Sequence, residues 1–139
     1  MLEICRSLQS GHITGIDSSV LAIAKARTRL IQQLRAGTAR LQNTTLIDFK
    51  SSQRFCKVFA VNVNAFWTAP RQNLGAVAHL LEPGGTLHLF YQQPSQSQLD
   101  KAESQTVAGL AGAGFEIASA QQKRLDDGNA VAVVASTAR

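Results

Sequence analysis

The run Val58-Phe59-Ala60-Val61 constrains the fold more than any other stretch. Four apolar residues in succession, flanked by Phe55 and Val63, leave no polar face, and a strand without alternation is buried on both sides. That is the signature of an inner strand of a parallel sheet, so the sheet is expected to pass through residues 57 to 62. Parallel strands need long crossovers, usually helical, and helical signals stand on either side. From Ser18 to Ala36, Val20, Ile23, Ala24, Leu30, Ile31 and Leu34 recur at threes and fours, interrupted by Arg27, with Gly37 as a stop. A second helix is expected from Pro70 to about Leu81, closed by Pro83-Gly84-Gly85. A third, capped by Ser95 or Ser97, runs to roughly Gly112.

Strand signals separate these helices. Thr38 to Asn43, Thr86 to Tyr91, Phe115 to Ala120 and Ala130 to Ala135 each carry one. The last two have no helix between them, only the turn Asp126-Asp127-Gly128-Asn129, so they can be joined only as an antiparallel pair. The expected fold class is therefore α/β: a mostly parallel, Rossmann-like sheet covered on both faces, with an antiparallel C-terminal hairpin.

The 139 residues are expected to form a single domain. Cys5 and Cys56 have no metal-like spacing, no apolar stretch reaches membrane-spanning length, and the N-terminus lacks the pattern of a secretory signal. The expectation is a reduced, cytoplasmic protein with no metal and no membrane partner. The net charge of +5 raises the question of nucleic acid. Lys25, Arg27, Arg29, Arg35 and Arg40 lie on one helix and its exit, Lys123 and Arg124 stand in a turn, and no aromatic lies between residues 1 and 48. The pattern reads as a solvated helix flank rather than a nucleic-acid stripe.

One carboxylate carries the functional reading. His12-Ile13-Thr14-Gly15-Ile16-Asp17-Ser18-Ser19 is a short β-branched strand that ends in Asp17 and enters a helix, with Ser18 or Ser19 as N-cap. An acid at the carboxyl end of a parallel strand is where doubly wound domains hold ribose hydroxyls. The glycine-rich turn that normally stands about twenty residues before such an acid has no counterpart here. His79 and His88 lack a carboxylate or serine at a suggestive spacing and read as packing residues.

Gly11 to Asp17, Val58 to Asn64 and Leu80-Leu81-Glu82-Pro83-Gly84-Gly85-Thr86-Leu87 together resemble the class I S-adenosylmethionine-dependent methyltransferases. Gly112-Ala113-Gly114-Phe115-Glu116 and Ala130 to Ala135 are similar to that family's sixth and seventh strands. The resemblance implies strand order 3-2-1-4-5-7-6 with the first strand and its glycine loop missing; residues 1–9 read either as the tail of the first helix, which the spacing favours, or, through Met1-Leu2-Glu3-Ile4, as the start of that strand without its glycines. A chain truncated in this way would leave unpaired sheet edges, through which homo-oligomers could form.

The resemblance also implies S-adenosylmethionine as cofactor and methyl transfer to a small-molecule acceptor. Asp17, with Ser18 beside it, would hold the ribose hydroxyls. Thr45 and Leu46 would line the adenine site, where relatives often carry an acid, a role Asp48 could take over. Ala60, Val61 and Asn62 would face the methionine part, and Asn64, Phe66 and Trp67 would form the acceptor side. Cys56 stands where relatives usually have Asp. Asn62 reads equally as a strand-end residue satisfying backbone groups, and Phe66 and Trp67 as core. No catalytic base is named by the sequence. Two other readings fit the same strands: a noncatalytic interaction module on this fold, and a nicotinamide-dependent oxidoreductase, against which the closing hairpin and the Pro-Gly-Gly turn speak.

Overall fold

The structure is a computed structural model describing residues 1–137. The chain divides into two compact units, Met1–Lys50 and the residues from Ser51 onward.

The first unit runs α1 (Leu2–Ser7), β1 (Ile13–Asp17), α2 (Val20–Arg29), α3 (Ile31–Ala36) and β2 (Ala39–Asn43). β1 and β2 pair in parallel, from Ile13 opposite Ala39 to Asp17 opposite Asn43. Cys5, Leu30 and Ala39 form a buried cluster, against which Leu2, Ile13, Ala26, Leu34 and Leu41 pack. Residues 2–7 are thus helical, and the apolar side of α1 is what ties the N-terminus to the sheet. The single helix expected from Ser18 to Ala36 is two, broken at Leu30 (φ −105, ψ 20). The apolar stripe continues across the break and no Gly or Pro marks it, so periodicity alone could not detect it. Gly37, left-handed at φ 79, ends α3, and Thr38 N–H donates to the Gln33 carbonyl.

The second unit runs β3 (Phe55–Val61), α4 (Ala65–Thr68), α5 (Pro70–Leu80), β4 (Leu81–Gln93), α6 (Gln96–Gly112), β5 (Glu116–Leu125) and β6 (Gly128–Ser136). Its sheet has the order β3-β4-β6-β5, parallel between β3 and β4 and antiparallel in the other two pairs. Alternate residues Leu87, Leu89 and Tyr91 of β4 lie opposite Ala135, Val133 and Val131 of β6, and all six are buried. α6 covers this face with Leu99, Ala102, Thr106 and Leu110, one helical stripe at spacings of three and four. Ser95 caps α6, its Oγ accepting from Gln98 N–H at 3.2 Å.

Three expectations are corrected in this unit. β3 is an edge strand of its sheet, not an inner one, and Phe59 and Val61 are 40% and 65% exposed. Apolar composition without alternation records what a strand is suited to cover, and here only the β4 side is paired. Pro83-Gly84-Gly85 does not separate helix from strand. It is an irregularity inside β4, between the pairs Phe55–Leu81 and Lys57–Thr86. Gly84 there has φ 77, and a Cβ on Gly85 would fall 2.9 Å from the Glu82 carbonyl oxygen, so both glycines are required by geometry. Lys123 and Arg124 lie in β5, which runs on to Leu125, and the turn is the two residues Asp126-Asp127.

Candidate functional site

In the first unit the site residues gather at the carboxyl end of β1. Asp17 closes the β1–β2 ladder opposite Asn43, whose Nδ2 donates to the Asp17 carbonyl at 2.9 Å, while Thr44 N–H donates to the same oxygen. The exposed Asp17 carboxylate accepts from Ser19 N–H through Oδ1 at 2.8 Å. Ser19, not Ser18, is the cap of α2, its Oγ accepting from Ala22 N–H at 3.1 Å. One carboxylate oxygen is therefore spent on fixing the side chain at the start of the helix, and Oδ2 has no hydrogen-bond partner among the described residues. Ser18 is exposed beside it. A fixed carboxylate with a free oxygen accepts from a hydroxyl pair such as a ribose diol.

Past β2, Thr45 is exposed and Leu46 half-buried. The Thr45 hydroxyl donates to Asp48 Oδ2 at 3.0 Å and accepts from Asp48 N–H at 3.1 Å. The turn thus brings a carboxylate directly to the position where the sequence shows only a threonine.

In the second unit the end of β3 is held by Asn62. It is the only non-glycine residue with positive φ (55) among the described residues, a conformation that asparagine tolerates better than most. Its N–H donates to the Phe90 carbonyl and its Oδ1 accepts from Gln92 N–H, both at 2.8 Å. The strand-end role is therefore realised, and Nδ2 is the group left over. Ala60 is half-buried and Val61 exposed. Tyr91 donates its hydroxyl to the Val63 carbonyl at 3.0 Å, a second tie from β4 to the segment after β3; burial pushes its phenol pKa up, so it stays a donor. Gln92 and Tyr91 were not legible as site-forming from sequence, since neither belongs to a motif.

Phe66 and Trp67, expected on a loop, belong to the short helix α4. Phe66 is 3% exposed, a core residue. Trp67 is half-buried, with its Nε1 enclosed and unpartnered. Asn64 is exposed, and its carbonyl accepts from Trp67 and Thr68 N–H. Among the described residues no cluster of His, Cys, Asp and Glu could hold a metal ion, and no helix is long and apolar enough to cross a membrane.

The strand orders β2-β1 and β3-β4-β6-β5 reproduce, each within its own sheet, the 3-2 and 4-5-7-6 runs of the class I methyltransferase order. Solved structures agree. The N-methyltransferase NodS from Bradyrhizobium japonicum superposes with a TM-score of 0.72 at 16% identity, over 92% of this chain and 74% of its own. Magnesium protoporphyrin IX methyltransferase from Synechocystis, solved with bound S-adenosylhomocysteine, gives 0.73 at 14%, over 98% and 67%. The [4+2]-cyclase SpnF gives 0.78 at 15%, over 99% and 69%. The chain spans between 54 and 81% of the length of these and related solved chains. No protein-family model matches the sequence, and no curated protein matches it. The fold is thus the Rossmann-like fold of class I methyltransferases.

Proposed function

We propose that the protein acts in S-adenosylmethionine-dependent methyl transfer to a small-molecule acceptor. The observation that carries this reading is Asp17: a carboxylate at the carboxyl end of a parallel strand, fixed by the helix start and left with one free oxygen. Support comes from neighbours of the same fold that are named as methyltransferases, one of them holding S-adenosylhomocysteine. When bound, the sulfonium supplies an already electrophilic methyl group, so the chain's part is to bind and align. Asp17 accepts from the ribose hydroxyls, and Asp48, steadied by Thr45, accepts from the adenine amine. Within the second unit, the family resemblance makes Asn62 the candidate for the methionine part and Asn64 and Trp67 the candidates for the acceptor side.

Calorimetric titration with S-adenosylhomocysteine tests this reading. Micromolar binding that Asp17→Asn weakens is the expected result; no heat from the protein overturns the proposal. SpnF, named as a cyclase, favours a second reading in which the fold binds the cofactor without methyl transfer. Tight binding with no labelled methyl group delivered to any acceptor in a metabolite extract would select it.

A further inference from the structure

We propose that the helical layer of the first unit is a docking surface for the phosphate backbone of a nucleic-acid duplex. The thirty residues between Asp17 and Asp48 contain no carboxylate and five permanent cations: Lys25, Arg27, Arg29, Arg35 and Arg40. The first unit holds seven Lys and Arg against three Asp and Glu, the remainder of the chain seven against six. Four of the five net positive charges therefore sit in fifty residues. All five of these side chains are exposed, and the one ion pair among the described residues joins Arg6 to Glu3. None of the five pairs with a carboxylate among the described residues.

The kind of polyanion follows from what surrounds the charges. An anionic membrane would need a continuous apolar helix face to enter it, but Ile23 and Leu30 of the apolar stripe are buried within the protein, and the large apolar residues left exposed there, Val20, Leu21 and Ile31, stand only at the starts of α2 and α3. A single strand would need aromatic platforms for its bases, and no aromatic lies between residues 1 and 48. A duplex needs neither, because its phosphates are contacted by Lys and Arg alone without reading sequence. Lys25 and Arg29, one turn apart on α2, share one face of that helix. The missing aromatics, which from sequence spoke against nucleic acid, exclude base stacking and leave phosphate contact untouched. This inference stands apart from methyl transfer, and its test contains no cofactor.

The probe is a fluorescent DNA duplex of about 16 base pairs and arbitrary sequence, followed by anisotropy across about 50 to 200 mM salt. Binding is expected with log K falling linearly in log salt. Lys25→Gln/Arg29→Gln is expected to reduce the slope by about two units, from about 0.9 per phosphate contact, whereas Lys101→Gln in α6 leaves it unchanged. Circular dichroism of each variant verifies that it is folded, and the single variant Arg35→Gln, expected to reduce the slope by about one unit, serves in place of the double variant if that one is not. Absence of duplex binding at the lowest salt, an unchanged slope in the folded variants, or tighter binding to oligo-dT or to phosphatidylserine vesicles each overturns the proposal.

Discussion

Asn62 shows how much a single residue can settle at the end of a strand. Its left-handed backbone turns the chain out of β3 while its amide oxygen takes the Gln92 N–H that would otherwise be orphaned. Asn62→Gly keeps the conformation and loses one hydrogen bond, and is expected to lower stability by ~1 kcal/mol. Asn62→Val loses both, and a β-branched residue at positive φ adds ~1–3 kcal/mol of strain; urea unfolding of the pair separates the two contributions. At Asp17, Asp17→Asn keeps shape and removes charge, and is expected to weaken S-adenosylhomocysteine binding ~10-fold or more, read by calorimetry. His88 stacks on Phe59 with centroids 4.9 Å apart and shares a hydrogen bond with Thr86 Oγ1. Burial, and secondarily the neighbouring Lys57 charge, lower its pKa below the usual 6.5. Between that lowered value and 6.5 the unfolded chain binds more protons than the folded one, so His88 makes stability rise with pH through this window and level off above it. Urea midpoints across mildly acidic pH should show this rise, and His88→Asn should flatten it.

At the scale of elements, glycines divide by what faces them. In α6 a Cβ on Gly109 would lie 2.8 Å from Pro70 Cβ at the start of α5, whereas Gly75 in α5 has open space around it. Gly109→Ala is therefore expected to destabilise by ~1–3 kcal/mol through overpacking. Gly75→Ala should stabilise by ~0.5–1 kcal/mol through helix propensity alone, and thermal melts of the two variants should shift in opposite directions. The same elements show what a sequence can reveal. α6 was legible because its serine cap and its periodicity agree, α5 because Pro70 and its periodicity do, and the β5–β6 hairpin because the Asp126-Asp127-Gly128 turn separates two strand signals with no helix between them. Asp17 was legible because strand, acid and helix are contiguous. What stayed hidden depends on partners distant in sequence: the edge position of β3, the bulge that carries Gly84 through β4, and the carbonyl that Val63 offers to Tyr91. The break at Leu30 was hidden for a different reason, since both helices share one apolar stripe. Asp48 was visible only as a residue three positions from Thr45, and the turn that joins them had to be seen.

Across the whole molecule the two units differ in how much they bury. The second centres on a sheet with both inner strands covered by α6, and Leu74, Val77, Leu87, Leu89, Leu99, Leu110, Val131 and Val133 are all fully enclosed. The first rests on two strands and a three-residue cluster, and two-stranded sheets are marginal by themselves. Native-state hydrogen exchange should accordingly release the amides of β1 and β2 by local opening while those of β4 and β6 exchange only on global unfolding. Equal protection in both would refute that ranking. The cysteines happen to be divided in the same way: Cys5 is in the core of the first unit and Cys56 is on the surface of the second. An alkylating probe should therefore modify one thiol at once and the other only as often as the N-terminal unit breathes, giving a mass-resolved clock for that motion that requires no engineered label.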